Sequence, residues 1–339
     1  VASQAYESPE TFMPALLNGE IKVDVVLASP VLLNSLWAAG QIAPMSDFFP
    51  PSFIDAFAAT PLSGANQAGA LWGLPDSAGF HLLLFYNREV INLPPATIDE
   101  LSELAQELGP GGLALNSYDP LWVLPWLVPP QGWLRQESGR WAVDLPAMEQ
   151  ALTYHQKWHQ LAMTGEPAGP YSQARQRFLQ GQAALLIDGE WSLSEWSDGA
   201  GPIWAVAPLP QLGQRQSGQP AAPLVLARYW AVNRATAGDQ ALVAAIFLEY
   251  ITRPQRQLAW TSRFGLLPTR REALNDPAIV ADPILRVSAS QMLAGQSLPL
   301  ELNPNLLFDA MRQPLRQMLD GALTPAEAAQ QIQLNLAAE

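Results

Sequence analysis

Aromatic rings near polar loops are the residues of this chain best able to do chemistry. Twelve tryptophans occur among 339 residues, and five fall close to loops that follow expected strands: Trp122 and Trp126, Trp191 and Trp196, and Trp230. In open α/β sheets, ligands sit beyond the carboxyl ends of the strands. A flat ring there is a platform for the C–H face of a polyol, and nearby carboxylates and amides take directed hydrogen bonds from its hydroxyls. Any single tryptophan is read more simply as core filling, so the rings point to chemistry only as a set. Asp188, Glu190 and Glu195 offer a second chemistry, the paired carboxylates of a glycan-cleaving hydrolase. Carboxylates this common pair by chance, so that reading stays an alternative. His155 and His159 share one face at i,i+4 spacing, as metal ligands can. No third ligand lies near them in sequence, and no metal is expected. Gly109-Pro110-Gly111-Gly112 lacks the lysine and spacing of a phosphate loop and reads as a helix stop. There is no G-x-S-x-G and no cysteine, which removes thiolate chemistry and disulfides, and no cofactor is expected.

The elements that position these residues must be shared between two domains, because a single core rarely grows past about 250–300 residues. Charged residues make up 14% of the chain, so uncharged polar groups must supply much of the wet surface. A net charge of −13 argues against nucleic acid, whose binding needs lysine and arginine on phosphates, and equally against an anionic membrane surface. No uninterrupted apolar run reaches the length of a membrane span. No signal peptide is visible at Val1, so export would mean that the signal has been removed.

Strands alternate with helices along the chain, which predicts an α/β architecture. A helix is expected over 7–17, with Ser8-Pro9 at its start, then a strand over 23–27 and a helix over 31–39 ended by Gly40. The stretch 71–108 organises the rest of the chain. A short apolar piece at 71–74 precedes a corner, Pro75-Asp76-Ser77-Ala78-Gly79, and a buried strand over 80–86. A proline loop then leads to a helix opened by a Thr97/Glu100 capping box, with Leu101, Leu104, Ala105 and Leu108 on one face. Further strands are expected at 112–115, 183–187, 204–208 and 224–232. Helices are expected at 121–127, 145–162, 173–180, 240–251 and 255–262, from 283, and at 307–319 and 325–336.

Several of these segments share motifs with one family. They are Gly73-Leu74-Pro75 followed by Leu84-Phe85-Tyr86-Asn87-Arg88-Glu89-Val90, the Thr97-to-Leu101 helix start, the segment 23–45, the run from Phe178 to Gly189-Glu190-Trp191, and Gly265 to Pro268 with Thr269-Arg270. Together they resemble the maltose-binding-like solute-binding proteins of carbohydrate ABC importers. The resemblance implies a type II periplasmic-binding-protein fold: two interleaved α/β lobes joined by hinge crossings, near 80–86, 224–232 and 283. It places the first lobe at 1–80 and 231–282 and the second at 81–230 and 283–339. The family has a strand, a helix and a second strand before the segment that matches 23–45, so the first lobe is expected to be incomplete at its N-terminus.

The same resemblance nominates site residues one at a time. Asp119 falls at a carboxylate-proline pair on the cleft edge, and Trp122, Trp191 and Phe308 fall at ring-stacking positions. Tyr171 matches a ligand-facing tyrosine, and Leu298 an apolar contact. The family's acidic position on the crossing strand is Phe80 here, so Asp76 and His81 are the polar candidates beside it. Glu190 replaces a small residue or proline next to Trp191. Arg228, Tyr229 and Trp230 lie on the second crossing. A charge in an apolar strand is costly unless paired, so Arg228 either meets ligand or braces the hinge. The loop Ala28-Ser29-Pro30 lacks the aromatic and charged groups of maltose binders, which weakens a maltose-specific reading. The resemblance thus implies a non-enzymatic, monomeric capture protein for a di- or oligosaccharide that delivers its ligand to a membrane permease. Its place would be periplasmic or extracellular, with a lipid anchor as one form. A non-sugar osmolyte or an anionic glycoside held by Arg228 is the alternative ligand.

Overall fold

The computed structural model describes residues 14–16, 18, 20–129, 132–162, 171–195, 203–215 and 217–338, with the backbone alone at Ser194 and Glu195. Trp196 and most of the helix expected over 7–17 lie outside them. The chain divides into two compact α/β units. One takes in the chain to Ala78, Leu226–Asp276 and Ser297–Pro304; the other Gly79–Val225, Pro277–Gln296 and the chain from Asn305. The segment Ser297–Pro304, expected in the second lobe, thus belongs to the first unit. There it is tied by the Asn34 amide to the Leu300 carbonyl at 2.7 Å and by the Ser297 hydroxyl to the Thr60 carbonyl at 2.8 Å.

The first unit is built on a three-stranded sheet with Leu226–Val232 in the centre. Val25–Ala28 pairs with it antiparallel, Val25 opposite Val232 and Ala28 opposite Tyr229, and Leu74–Gly79 lies on its other side. The expected corner at 75–79 is therefore strand. Pro75 is compatible with it because a strand at a sheet edge tolerates the missing donor. The helix Pro30–Ala38 starts on a Ser29 cap and buries Leu32, Leu33 and Leu36. Gln257 locks the outer strand to the Gly265-to-Arg270 segment. Its amide donates to the Asp76 carbonyl at 2.9 Å and accepts the Thr269 and Arg270 N–H groups at 2.9 and 2.8 Å.

The second unit holds a four-stranded sheet in the order Trp204–Ala207, Leu82–Asn87, Leu185–Gly189, Leu113–Leu115, with only the last pair parallel. Leu83, Phe85, Phe178, Leu186 and Val206 make its core, and Ile284 and Val287 of the helix Pro283–Ala294 pack on it. The helix Ile98–Glu107 is capped by the Thr97 hydroxyl, but Glu100 reaches past the cap to the Ala96 N–H at 2.8 Å and also grips Arg215. The full capping box falls instead on Thr324 and Glu327, at the start of Pro325–Ala337. The helix expected over 121–127 is two 3-10 turns, Pro120–Trp122 and Leu124–Trp126, because Pro125 interrupts it. A hairpin, Leu134–Glu137 with Arg140–Val143, was not anticipated. It turns through Ser138 and Gly139, both at positive φ, a pairing suited to tight hairpins. Among the described residues, no helix is long and apolar enough to cross a membrane.

All three histidines of the chain are buried in the second unit. His81 meets the Ser288 hydroxyl at 2.9 Å, His155 the Ser117 carbonyl at 2.7 Å, and His159 packs edge-on to Tyr118. Burial drives His81 down to about 3 and His155 to about 4, and lowers His159. The unfolded chain therefore takes up imidazole protons that the folded chain refuses. These residues' stabilising contribution is complete above about 6.5 and is lost as pH falls below that value, towards about 4 for His155 and about 3 for His81. In an NMR titration of the folded protein, the His81 and His155 imidazoles should still be neutral at pH 5.5. A midpoint near 6.5 for either would contradict this burial.

Candidate ligand-binding site

The strand Leu185–Gly189 delivers Asp188, Glu190 and Trp191 to one place in the second unit. Asp188 is fully buried. It accepts hydrogen bonds from the Tyr171 hydroxyl at 2.5 Å, the Ser192 hydroxyl at 2.7 Å and the Gly189 N–H at 2.8 Å, and pairs with Arg175 at 3.4 Å. Burial raises its pKa, and these donors work against that rise. Burial and the Asp188 charge push the Tyr171 phenol up to about 12, so it stays a donor to the carboxylate. The same phenol oxygen accepts the Trp191 indole N–H at 2.7 Å. One buried carboxylate therefore fixes a tyrosine, and the tyrosine fixes a tryptophan. The indole lies across Gly189, where any Cβ would collide with the ring.

Trp122 closes the group. Asp119 caps its 3-10 turn by accepting the Leu121 N–H at 3.0 Å, and the Trp122 indole donates to the Ile187 carbonyl at 2.7 Å. Its ring centroid lies 5.7 Å from Tyr171 and 6.4 Å from Trp191. Trp122 is only 3% exposed, so it backs the half-buried Trp191 and Tyr171 instead of presenting a face of its own. Asp119 is half-buried, and burial pushes its carboxyl up. Phe80 joins from the other side, its ring 5.3 Å from Trp191, and its N–H donates to Glu190 Oε1 at 3.0 Å. Burial raises Glu190 to about 7, with the Asp188 charge adding to the rise. Between 4.5 and about 7 the folded chain then holds a proton that the unfolded chain releases, so this group's contribution falls as pH rises, opposite to the histidines.

The structure thus brings together Trp122, Tyr171, Glu190 and Trp191, and places Asp119 at the start of the Trp122 turn. In the first unit it joins Asp76, Arg228 and Trp230. The Asp76 carboxylate accepts from Arg228 Nη2 at 3.1 Å and from the Trp230 indole at 2.9 Å, and Arg228 Nε donates to Ser77 at 3.1 Å. Three candidates are packing residues instead. Tyr229 is 1% exposed, fills the space left by Gly64 and Gly73, and donates its hydroxyl to the Pro61 carbonyl. Alternation along its strand turns it away from its neighbours Arg228 and Trp230. His81 is sealed against Ser288, and Leu298 is buried. Phe308 is half-buried on a separate element, the helix Pro304–Leu319. Phe80 is a ring that the sequence did not nominate, because its position reads there only as a missing acidic group.

Two α/β units threaded by one chain, with rings held around a buried carboxylate, define a binding protein of the type II periplasmic fold. A family model described as "Bacterial extracellular solute-binding protein" matches residues 1–287, and the chain belongs to that family. Among curated proteins it is similar to a maltotriose-binding protein of Pyrococcus abyssi, 26% identical over 270 residues, covering 73% of this chain and 54% of that one. A maltooligosaccharide ABC transporter solute-binding lipoprotein of Streptococcus pneumoniae is 22% identical over 315 residues, covering 85% and 71%. The chain thus spans little more than half the length of the Pyrococcus relative. Among solved structures, a maltose/maltodextrin-binding domain from Bdellovibrio bacteriovorus bound to maltotriose shares the fold at TM-score 0.73 and 24% identity, covering 96% of this chain and 87% of that one.

Removing the Tyr171 hydroxyl takes one donor from Asp188 and an acceptor from the Trp191 indole. Tyr171→Phe should therefore cost about 1–3 kcal/mol, the usual penalty for buried polar groups that lose a partner. Urea denaturation would measure the loss, and Trp191 emission should shift with it. An unchanged midpoint would mean that the three groups are not coupled.

Proposed function

We propose that this protein captures a neutral di- or oligosaccharide and hands it, chemically intact, to the permease of an ABC importer. The observation that carries the reading is the ring set Phe80, Trp191, Tyr171 and Trp122 gathered around Asp188 and Glu190. Stacking rings beside fixed acceptors suit a ligand with apolar C–H faces and many hydroxyls. The ligands named for the Pyrococcus and streptococcal relatives support the same class. A ligand shifts the arrangement of the two units only by its difference in affinity between arrangements, which is the thermodynamic content of hinge closure. Micromolar capture corresponds to about 8 kcal/mol, within reach of a few stacked rings and hydrogen bonds after ordering costs.

Two observations weigh against the other readings. Ser77 and Asp76 already hold the Nε–Nη2 edge of the Arg228 guanidinium, so its charge is met by Asp76 inside the first unit and an anionic glycoside gains less there. Asp188 has its lone pairs filled by structural donors, which leaves it unsuited to act as nucleophile or base in a hydrolase. Export to the cell surface or periplasm as a monomer accompanies this reading, and the lipoprotein relative supports a lipid anchor.

A thermal-shift screen over a sugar panel tests the ligand class, since a bound ligand raises the melting point by mass action. Trp191→Ala should weaken oligosaccharide binding at least about tenfold, or 1.4 kcal/mol, with the fold retained, and wild-type protein should return the sugar uncleaved. Release of monosaccharide, or a titration indifferent to Trp191→Ala, would refute the proposal.

A further inference from the structure

Phe80 combines features that packing does not explain. It adopts φ +64°, the left-handed region that a bulky side chain enters only at a cost in strain. The residue is nevertheless 37% exposed, so the strain secures no fully buried core residue. The conformation is held by a specific device. The Phe80 N–H donates to Glu190 Oε1, the Glu190 N–H donates to the His81 carbonyl, and the carboxylate occupies the space where a Cβ on Gly79 would stand. The other carboxylate oxygen, Oε2, is buried and makes no well-formed hydrogen bond among the described residues, while the Trp191 backbone N–H lies close enough to the carboxyl to lower its pKa. The groups around Glu190 are Asp188, whose charge is met by Arg175, the neutral buried His81, and the Phe80 and Trp191 rings.

A strained residue held from several sides, with its ring left partly open, is the pattern of a group pre-organised for function. We propose that Phe80 is a ligand-stacking platform that extends the Trp191 surface, and that Glu190 is the positioning residue that holds it. The two rings are offset and tilted, with centroids 5.3 Å apart and 37° between their planes. The pair sets two rings at an angle, so the surface it makes is bent, not flat. It therefore suits consecutive units of a curved, neutral oligosaccharide better than a monosaccharide. This inference rests on the capture of carbohydrate proposed above and deepens it.

Calorimetric titration with maltotriose and with glucose, together with melting points, tests it in wild type, Phe80→Gly, Phe80→Leu, Glu190→Gln and Glu190→Ala. Phe80→Gly should melt no lower than wild type, because glycine relieves the strained φ, yet bind maltotriose at least tenfold more weakly. The loss for glucose should be smaller. Phe80→Leu keeps apolar bulk without a flat face and should show the same loss. Glu190→Gln retains a carbonyl acceptor for the Phe80 N–H and should lose less maltotriose affinity than Glu190→Ala, which should approach the Phe80 variants. Failure of wild type to bind either sugar would overturn both this inference and the proposed function. Normal maltotriose binding by Phe80→Gly or Phe80→Leu would overturn the platform alone, and normal binding by Glu190→Ala would overturn the role of Glu190.

Discussion

The candidate site depends on replacing the hydration of one buried carboxyl group with protein donors. Burying a charge is expensive unless partners replace its hydration. Asp188 obtains its replacements from nearby stretches of chain: Gly189 and Ser192 just beyond it, and Tyr171 and Arg175 on the helix Tyr171–Leu179. Each donor must take a defined position to serve. The positions of Tyr171, and through it Trp191, follow from the electrostatic demand of Asp188 rather than from any preference of their own. A neutral residue at 188 would leave the helix and the indole without this shared anchor.

Backbone geometry meets the same demand. Trp191 lies over Gly189 and the Glu190 carboxylate lies against Gly79, each where a Cβ would intrude. The two glycines act through absence of volume, since neither is at positive φ. Phe80 is the reverse case, a bulky residue at positive φ beside a glycine that does not need it. Glu190 makes that exchange tenable by taking the Phe80 N–H, which would otherwise have lost a strand partner. The first unit has a parallel arrangement, in which Asp76 gathers Arg228 and Trp230 while Gln257 fixes the backbone that carries it.

Much of this was legible in the sequence, and the failures have physical causes. The strand-turn run through Asp188 and Trp191 could be read as a candidate site only through its resemblance to the family motif, whose residues lie in close succession, since a lone tryptophan reads as core filling. The helix Leu145–Ala162 was recovered at both ends because its apolar period is long and uninterrupted. The strand Leu74–Gly79 was missed because its pairing partner is about 150 residues away, and Pro75-Asp76-Ser77 looks locally like a turn. Tyr229 was misplaced because the residues flanking it face the other side of the sheet, and the strand's register settles which face is which only when its neighbours are known. Phe80 was hidden because positive φ leaves no mark on residue type.

A physical distinction separates motifs that build from motifs that bind. In the segment from Gly265 to Arg270, the polar groups are consumed internally. Gln257 commits its amide to Thr269, Arg270 and the Asp76 carbonyl, and the Arg270 guanidinium is stacked between Phe53 and Phe57 while it donates to the Thr252 and Phe53 carbonyls. Nothing in this network is left to offer a solute, although the sequence pattern is as distinctive as that around Trp191. Around Trp191 the groups are not all satisfied. Asp188 is saturated, but Glu190 keeps an oxygen unmatched among the described residues, and Phe80 keeps part of a ring uncovered. The Glu190 oxygen is itself buried, so the surface open to a solute is the uncovered aromatic ring, which is unfavourable in water and favourable against the C–H face of a polyol. That uncovered ring surface, and not the recurrence of a motif, is the reason for proposing the Asp188–Trp191 turn as the part of this chain that meets its ligand.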